Sequence, residues 1–518
     1  MPTHITRRVL LRTGALAVGA VAGSALLAAS GGAASVTGQV ASSSAAVPVT
    51  SSSASAPSVA AATSSAATTA ASTSTAASVA SASTSSAATA VASSAAVSSS
   101  ASATAVLANG AVSLDFWSEV AGPIDQGLLD PWAKKFTQQH PDITVNMRYI
   151  AGSNNSEKYT SAMVAGTPPD GILTSGFPIA VQWAANGQIQ PMDQWAGQLG
   201  IKQQDYFSWV WNMQNFHGKL WCLLQEYDTN VFVWNKALFR AAGLNADAPP
   251  TQLAALDDAS AKLDKKQADG SIGQAGFIPW LSANISLWIA ARGGDIYDAK
   301  NGKWTFDTPQ ARDALAWYQQ YLKRLGDINA VNALTKTFTG KVTGLGSGKL
   351  GQQIVGDWVP LYNYNVDSPS LEYGVGVIPT APGIAPGTNT VIGSDTFVLP
   401  VGVKHPQESM QFMLYMDSPD PVLAWCVGEA NVPPTPAMAN DPRFLKGVPY
   451  GNILVEMAKP ELLHPFPVAP TYSDATGFLN TAVSNVLKGT IAVEAALAQA
   501  QQLADQKQQQ FSAQKPGW

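Results

Sequence analysis

The pattern of hydrophobic and polar residues after position 111 predicts a parallel sheet with helices on its faces. Apolar residues alternate with polar ones at 112–116 and again at 143–149, as in half-buried strands. Between these segments, at 124–136, apolar residues recur every fourth position, as on one face of a helix. A short helix at 159–165 and an apolar run at 172–173 complete a strand–helix–strand–helix–strand order. That order is typical of α/β sheets, which bind ligands beyond the carboxyl ends of their strands.

The rest of the chain continues this alternation of strands and helices. Strands are predicted at 230–234, 276–278, 373–378 and 396–399, and helices at 179–185, 236–242, 406–416, 478–487 and 491–510, with one more beginning at Thr308-Pro309. Gly187 and Gly243 are expected to end the first two of these helices, and Thr490 to cap the last. Pro131 lies inside the pattern at 124–136, so that helix either kinks there or begins at an Asp130 cap.

The first 108 residues predict export and a spacer. Residues 6–12, TRRVLLR, have a twin-arginine pattern, and the apolar stretch 14–29 has 16 residues, which is short for a membrane span of about 20. We interpret 1–31 as a twin-arginine signal peptide, the alternative being an uncleaved anchor helix. Ser30 stands where a lipoprotein carries its lipidated cysteine, so no lipid anchor is expected. Residues 32–108 are almost wholly Ala, Ser, Thr and Val. They are predicted to be a disordered linker, because such a segment buries too little apolar surface to offset the conformational entropy that it would lose on folding.

Charge and cysteine content exclude several classes of function. No Asp, Glu, Lys or Arg occurs between Arg12 and Asp115, so all 35 acidic residues and 27 of the 30 basic residues lie beyond this gap, where the net charge is −8. A chain this acidic, without basic runs, is a poor binder of nucleic acid. The two cysteines, Cys222 and Cys426, are too few for a disulfide scaffold or an all-cysteine zinc site. Buried free thiols are favoured for them over a disulfide formed after export.

The sequence also lacks the motifs of metal and nucleophilic chemistry. None of the five histidines is followed by glutamate, so no HExxH motif is present, and neither CxxC nor GxSxG occurs. The segment GLGSGKLG at 344–351 has the glycine content of a phosphate loop. It has Thr343 in place of the first glycine and Leu350 in place of the Ser or Thr that binds Mg²⁺. No cofactor, metal site or catalytic residue is therefore predicted.

Eight segments, in chain order, resemble the extracytoplasmic solute-binding proteins of ABC importers, in the maltose-binding-protein-like branch (family 1) that binds sugars and oligosaccharides. They are LDFW at 114–117, FTQQHPDITV at 136–145, MVAGTPPD at 163–170, ANGQIQPMD at 185–193, VWNKALF at 233–239 with AGL at 242–244, GK at 348–349 with GDW at 356–358, YGVGVIP at 373–379, and VLKG at 486–489 with EAAL at 494–497. Two departures bear on ligand identity: Trp234 replaces the family's tyrosine, and LWCL at 220–223 replaces a segment rich in Gly, Ile and Pro.

The resemblance implies an α/β protein with the two-lobe periplasmic-binding-protein type II (Venus-flytrap) fold, each lobe a sheet flanked by helices. Carried over to this chain, lobe 1 is 109–228 with 380–436, and lobe 2 is 229–379 with 437–518. The 408 residues from 111 onward also favour two cores over one. The implied function is to bind a sugar or oligosaccharide between the lobes and deliver it to the permease subunits of the importer.

A sugar presents hydroxyl groups at its rim and flat C–H faces, so its site needs aromatic rings together with carboxylates or amides. Residues after the predicted strands, and residues at the family's ligand positions, supply such groups. The predicted ligand-binding residues are Trp117, Glu119, Ser175, Phe177, Glu226, Asp228, Trp280, Asp357, Trp358, Ser394, Asp395, Asn431 and Tyr472. Trp358 matches the family's stacking tryptophan, and Asp228 occupies the place of an acidic ligand residue.

Other interpretations of these residues stay open at this stage. Trp117 could be a core residue, and Asp228 could form a salt bridge at the hinge. Three further tryptophans lie on helical stripes and are expected in the core: Trp132, Trp288 and Trp317. Glu226 and Asp228 point to the same side of an extended chain, so a secreted two-carboxylate glycosidase is the alternative function. A surface adhesin with 32–108 as its stalk is a third. A monomer exported to the periplasm or cell surface fits the first function best.

Overall fold

The computed structural model describes residues 111–150, 155–197, 200–281, 283–338 and 343–518. The predicted signal peptide and linker lie outside the described residues. Within the described ranges the chain forms two five-stranded sheets, each covered by helices, and three short two-stranded ribbons. The predicted mixed α/β class is confirmed.

The first sheet begins with the predicted parallel unit. Its strands are β1 (Val112–Ser118), β2 (Ile143–Tyr149), β3 (Gly171–Thr174), β6 (Cys222–Leu224) and β15 (Thr396–Val398). They lie in the order β2-β1-β3-β15-β6, with β1 parallel to β2 and β3, and β15 antiparallel to β3 and β6. Leu114 and Phe116 are fully buried, as the alternation predicts. Gly171 is needed beside them because a Cβ there would lie 2.2 Å from the Phe116 ring.

The second sheet is built around one long buried strand. Its strands are β7 (Asp228–Asn235), β12 (Gln352–Gly356), β13 (Tyr373–Gly376), β14 (Asn389–Gly393) and β16 (Leu463–His464). β12, β13 and β14 each pair antiparallel with β7, and β16 is parallel to β14. All residues of β7 after Asp228 are buried. This apolar run on both faces is what a central strand covered by helices requires.

Three ribbons and two irregular turns complete the non-helical structure. The ribbons pair β4 (Asn215–Phe216) with β5 (Lys219–Leu220), β8 (Lys265–Lys266) with β9 (Ile272–Gln274), and β10 (Tyr297–Asp298) with β11 (Lys303–Trp304). A 3₁₀ turn spans Gln203–Asp205 and a π-helix spans Val359–Tyr364. The strand expected at 276–278 is wrong: β9 ends at Gln274. Gly276 instead lies against the Ser260 backbone, which would be 2.1 Å from a Cβ.

The described residues contain eighteen α-helices. In chain order they are α1 (Pro123–Gln139), α2 (Asn155–Val164), α3 (Phe177–Asn186), α4 (Asp193–Ala196), α5 (Ser208–Gln214), α6 (Lys236–Ala241), α7 (Leu253–Leu263), α8 (Ile285–Ala290), α9 (Pro309–Leu325), α10 (Ile328–Thr335), α11 (Asn365–Asp367), α12 (Pro406–Met416), α13 (Pro419–Glu429), α14 (Pro436–Ala439), α15 (Pro442–Gly447), α16 (Gly451–Met457), α17 (Tyr472–Leu487) and α18 (Val493–Gln514). None of them combines the length and apolar character that a membrane crossing needs.

Local capping chemistry sets several of these helix ends. Gly187 ends α3 in the left-handed conformation, at φ 72°, and the Thr308 side chain accepts a hydrogen bond from Ala311 N at the start of α9, both as predicted. The predicted Thr490 cap is wrong. Its hydroxyl donates instead to Asn485 O at 3.0 Å in the helix before, and α18 begins after Ala492.

Helix α1 runs through Pro131 without ending, so a start at Asp130 is excluded. Its buried residues are Leu129, Ala133 and Phe136, whereas Ile124, which the four-residue spacing places on the buried face, is 42% exposed. The predicted core tryptophans Trp288 and Trp317 are buried, and Trp132 packs half-buried against the same core. Cys222 and Cys426 are buried free thiols, as expected.

Three segments carry the chain between the two sheets, side by side. Residues 225–228 lead from β6 to β7, and 394–395 lead from β14 to β15. Gln225 N donates to Asp395 O at 2.9 Å, which joins these two segments. Residues 430–432 follow α13, and Tyr227 and Val432 exchange backbone hydrogen bonds of 3.1 Å. The predicted ligand-binding residues within these three segments therefore lie side by side where the chain crosses between the sheets.

Candidate functional site

A cavity of about 400 Å³ lies beside the crossing segments. One wall is formed by Ser175, Gly176 and Pro178, which follow β3 of the first sheet. The opposite wall comes from the start of α8, the end of β14 and the face of α17, all packed with the second sheet. The cavity therefore lies between the part of the chain built on one sheet and the part built on the other, where α/β folds place their ligands.

The lining combines aliphatic side chains with polar groups that carry no charge. Hydroxyl and amide groups come from Ser175, Asn284, Ser286, Thr476 and Asn480, which are exposed or half-buried. No Asp, Glu, Lys, Arg or His side chain is among the described residues that line the cavity. Groups of this kind donate and accept hydrogen bonds without a countercharge, so they suit an uncharged ligand rich in hydroxyl groups.

Two aromatic side chains add an apolar surface to the same cavity. The rings of Phe466 and Tyr472 meet edge to face at 5.4 Å, and both residues line the cavity. Phe466 also stacks on Phe177 at 6.4 Å, and Phe177 is the buried residue between the wall residues Gly176 and Pro178. The two halves of the chain thus already touch through aromatic rings at the edge of the cavity. Such rings offer a flat face to the C–H surface of a sugar.

Beneath the cavity, the three crossing segments bring carboxyl groups together. Asp395 accepts a hydrogen bond from Ser175 Oγ at 3.0 Å, which ties the floor to the cavity wall. Asp395 N donates to Glu226 Oε1, and Asn431 Nδ2 donates to Asp228 Oδ1. Each of these bonds joins two different crossing segments. Glu226, Asp395 and Asn431 are buried, and Asp228 is half-buried.

Asp357, directly after β12, lies against the same floor. It has no exposed surface, its Oδ2 accepts from Thr229 N at 3.3 Å, and its carbonyl oxygen accepts from the Tyr450 hydroxyl at 2.7 Å. Burial and the charge of Asp228 raise the pKa of the Asp357 carboxyl well above its ordinary value. Both causes favour the neutral form of this carboxyl group over the ionised form.

The other carboxyls of the floor are shifted in the same direction. Burial, followed by the charges of Asp228 and Asp395, raises the pKa of Glu226 well above its ordinary value. Burial and the charge of Asp228 do the same to Asp395. Burial raises the pKa of Asp228 to about 7, although its contact with Glu226 and the hydrogen bond from Asn431 oppose this rise. The pKa values of all four carboxyl groups of the floor are therefore raised, and burial is the largest cause in each.

Metal binding does not account for this acidic cluster. No group of three or more His, Cys, Asp or Glu side chains among the described residues is arranged to hold a metal ion.

A family model for the bacterial extracellular solute-binding proteins matches residues 121–422, which is more than half of the chain. The chain belongs to this family. An ABC transporter extracellular-binding protein of Pyrococcus horikoshii is 24% identical over 325 residues, 60% of this chain and 69% of that protein. The sn-glycerol-3-phosphate-binding periplasmic protein UgpB of Shigella flexneri is 26% identical over 238 residues, 43% of this chain and about half (52%) of that protein.

Among solved structures, that of CpMnBP1 with mannobiose bound is 28% identical, with a TM-score of 0.67. The matched region covers 76% of this solute-binding protein and 99% of CpMnBP1. Together with the two separate sheets, this likeness confirms the predicted two-lobe fold. The exact limits of the lobes stay a prediction. The chain changes sheet between Gly393 and Thr396, later than the predicted limit at 379.

Of the residues predicted from sequence, a connected group lies at the cavity and its floor in this solute-binding protein. Ser175 and Tyr472 line the cavity. Glu119 borders it: its Oε2 accepts from Thr174 Oγ1 at 2.8 Å and from Ser175 N at 3.1 Å. The following residues form or adjoin the floor: Glu226, Asp228, Asp357, Ser394, Asp395 and Asn431. Whether these residues bind ligand stays a prediction.

Trp358 follows the floor residue Asp357 and is half-buried. Its ring lies over Gly356, where a Cβ would come within 2.2 Å of the ring carbons, so glycine permits this close approach. Among the tryptophans, all of which fall in the described ranges, Trp358 alone packs against neither hydrophobic core. Trp358 is not among the residues that line the cavity, and its contact with a ligand stays a prediction.

Three other predicted residues lie in packed surroundings away from the cavity lining. Phe177 has no exposed surface and packs between Phe466 and Phe216. Trp280 packs on Tyr318 at 5.6 Å. Trp117 donates through Nε1 to Asp115 Oδ2 at 3.0 Å. This hydrogen bond, together with its packing against the core, supports the interpretation of Trp117 as a core residue.

The Trp117 ring is held on the side of β1 that faces helix α2 and the edge strand β2. It contacts the Tyr159 ring at 5.8 Å, and the guanidinium of Arg148 lies 5.3 Å above it. These contacts support a packing role for the half-buried ring, and a role of Trp117 in ligand binding stays a prediction.

Sequence reasoning missed these polar and aromatic residues of the cavity lining: Asn284, Ser286, Phe466, Thr476 and Asn480. Asn284 and Ser286 lie at the start of α8, Phe466 precedes α17, and the other two lie on one face of α17. Thr476 and Asn480 are four residues apart and so share a helical face with Tyr472, which was predicted. A polar stripe beside a predicted aromatic ligand residue could have identified the last two.

Proposed function

We propose that this chain is the extracytoplasmic substrate-binding component of an ABC importer, and that it binds a neutral oligosaccharide between its lobes and delivers it intact to the permease. The observation that carries this proposal is the cavity: uncharged hydroxyl and amide groups and two aromatic rings, drawn from both halves of the chain, face one another across about 400 Å³. That volume falls within the about 300–1,000 Å³ typical of small-molecule sites.

The relatives suggest two ligand classes, and the chemistry of the cavity favours one. CpMnBP1 binds mannobiose, whereas UgpB binds sn-glycerol 3-phosphate. A phosphate ester is bound best where cationic side chains offset its charge. The starts of α3 and α8 line the cavity, but its described lining carries no Lys, Arg or His, and the carboxyl groups of Asp228 and Asp395 beneath it oppose an anion. We therefore expect mannobiose or a related oligosaccharide to bind and sn-glycerol 3-phosphate to be rejected.

Within this proposal, Trp358 stacks on a sugar ring, and Asp228, Glu119 and Ser175 accept hydrogen bonds from sugar hydroxyls. Ligand that contacts both lobes stabilises the closed form because only that form makes both sets of contacts. The permease then distinguishes closed from open protein. Closure and release involve no covalent step.

A glycosidase function has little support from the carboxyl geometry. Glu226 is 1% exposed, its Oε1 accepts from Asp395 N, and its Oε2 is buried. Such a group cannot reach a glycosidic oxygen in the cavity. We propose that the chain is not an enzyme.

We also propose that residues 1–31 direct export by the twin-arginine route, and that 32–108 tether a monomeric binding protein near its permease. A flexible tether raises the effective concentration of a binding protein beside its partner without any new contact. The family itself is extracellular.

The proposal is tested by titration calorimetry on the full chain with mannobiose, mannotriose and sn-glycerol 3-phosphate, followed by chromatography of the recovered ligand. Saturable binding of an oligosaccharide that returns unaltered supports the proposal. Release of reducing sugar would indicate a glycosidase, and the absence of saturable binding to any oligosaccharide would favour an adhesin. Either result contradicts the proposal.

A further inference from the structure

Beneath the ligand cavity, the crossing segments bury more carboxyl oxygens than they satisfy. Glu226 Oε2 and Asp357 Oδ1 are buried and have no hydrogen-bond partner. Glu226 is 1% exposed and Asp357 is fully buried. An ionised carboxylate that is buried and lacks donors is costly, so it takes up a proton instead.

Within the part of the chain that the structure describes, no cationic side chain offsets this cluster. The ionisable groups that face it from the surrounding elements are all acidic when they ionise: Glu119, Asp125, Tyr227, Cys426, Glu429 and Tyr450. Its other partners, Ser175, Thr229 and Asn431, are neutral. Every salt bridge resolved among the described residues involves a carboxylate outside the cluster, so Lys and Arg do not neutralise it.

The position of the cluster connects it to lobe movement. Glu226 and Asp228 lie on the first crossing segment, Asp395 on the second, and Asp357 at the end of β12 beside them. Any rotation of one lobe on the other must change the spacing of these segments. Asp228 is the most exposed of the four and its Oδ2 lies against Gly393, which lines the cavity. A ligand that fills the cavity and closes the lobes therefore removes the water that remains at Asp228.

We propose that these segments form a proton-linked hinge, in which Glu226, Asp228, Asp357 and Asp395 share protons and closure on the ligand takes up a further proton from solvent. Ligand affinity then falls as pH rises above neutrality, because the closed form must first be protonated. The inference rests on the proposed function, since it concerns the regulation of that same cavity. The raised pKa values of all four carboxyls agree with it.

The test is calorimetry of mannobiose binding to the full chain at about pH 7.5, in two buffers that differ in ionisation enthalpy. The difference in observed enthalpy gives the number of protons taken up. We expect uptake of about 0.3–1 proton per ligand, and a Kd that rises several-fold between about pH 6 and about pH 8.5, since one proton corresponds to about tenfold per pH unit.

Two matched variants locate the effect. Glu226→Gln keeps the acceptor for Asp395 N but cannot ionise, and we expect it to reduce proton uptake and flatten the dependence of Kd on pH. Asp357→Asn provides the same test if the first variant does not fold. Asp417→Asn is the control, because Asp417 is another buried carboxyl whose pKa burial raises to about 7, but it pairs with Tyr206 at 2.8 Å outside the cluster. This control should bind with the proton uptake of the unmodified chain.

The outcomes separate the two proposals. Binding of mannobiose or another neutral oligosaccharide with no proton uptake, or with proton release, overturns the hinge proposal and leaves the proposed function standing. Flattening of the pH dependence in Asp417→Asn but not in Glu226→Gln also overturns it. Absence of oligosaccharide binding at every pH contradicts the proposed function, and the hinge proposal falls with it.

Discussion

Replacing Trp358 with alanine tests whether its ring is part of the ligand site. The ring is half-buried, lies over Gly356 and packs against neither hydrophobic core. A fully covered tryptophan buries roughly 200 Å², so a sugar face on one side covers about 70 Å². At about 25 cal/mol per Å² this contact contributes about 1.7 kcal/mol. The Kd for the best oligosaccharide should therefore rise about 20-fold in Trp358→Ala.

The stability of the ligand-free protein provides the control for this prediction. Because Trp358 supports no core packing, we expect the unliganded Tm of Trp358→Ala to stay within about 2 °C of that of the unmodified chain. Trp317→Ala is the matched variant: Trp317 is buried, with its ring 4.9 Å from that of Trp288 and 5.0 Å from that of Tyr321. It should lose about 3–5 kcal/mol of stability with little change in Kd at a temperature where it stays folded.

Titration calorimetry and thermal unfolding, run on both variants, decide between the roles. An unchanged Kd in Trp358→Ala would refute the stacking role. A fall in unliganded Tm as large as that of Trp317→Ala would show that Trp358 is a structural residue.

Three further predictions concern the cavity and its floor. Gly393→Ala should weaken binding about tenfold by calorimetry, because its Cβ would lie 2.2 Å from Asp228 Oδ2 and displace that carboxyl; unchanged affinity would contradict this. The free energy of unfolding should fall as pH rises from about 5 to about 9 in thermal scans, since burial raises the pKa of Asp228 to about 7 and that of Glu429 to about 9. Folded protein then binds more protons than unfolded protein, at about 1.4 kcal/mol per proton per pH unit, and a rising Tm across this range would oppose the reasoning. Phe466→Ala should weaken binding several-fold, as it removes a cavity wall and the contact with Phe177; equal affinity would exclude Phe466 from the site.

Those elements of the fold whose signal is local were predictable from sequence. The alternation around Leu114 and Phe116 identified β1 because a sheet with one covered face buries every second residue. Gly187 and Thr308 marked helix ends because a left-handed C-terminus and a side-chain cap depend on one residue each. These features need no knowledge of distant parts of the chain.

The sequence predictions that were wrong share one cause, which is that the surroundings of a residue in the folded chain outweighed its local pattern. Residues 276–278 are apolar enough for a strand, but Gly276 lies tightly against Ser260, and β9 ends before it. Thr490 has a side chain that can cap a helix, but its hydroxyl donates to Asn485 O of the preceding helix. Ile124 fits the helical spacing of α1 but lies near the start of the helix, beyond the residues that reach the core. In each case a neighbour that is not evident from local pattern decided the outcome.

The same distinction applies to the candidate site. Glu226 and Asp228 were predicted to lie together because they are two residues apart on extended chain, and the structure shows them sharing one floor. Asn284 and Asn480 are ordinary polar residues at helix surfaces, and only the approach of two distant segments makes them line one cavity. Composition and periodicity carry no information about such an approach, so Asn284 could not be predicted, and Asn480 had only the polar stripe beside Tyr472 as a signal.

The central claim is that two lobes close around an intact ligand, and the distance between the lobes tests it most directly. Spin labels on Lys134→Cys in α1 and Lys323→Cys in α9 report that distance by pulsed electron paramagnetic resonance, as both side chains are exposed on different lobes. The native Cys222 and Cys426 are buried, and burial raises the pKa of both thiols, so they should stay unlabelled. We predict that saturation with the oligosaccharide that binds best shortens the distance and that the sugar is recovered unaltered. An identical distance distribution with and without saturating ligand would contradict the account.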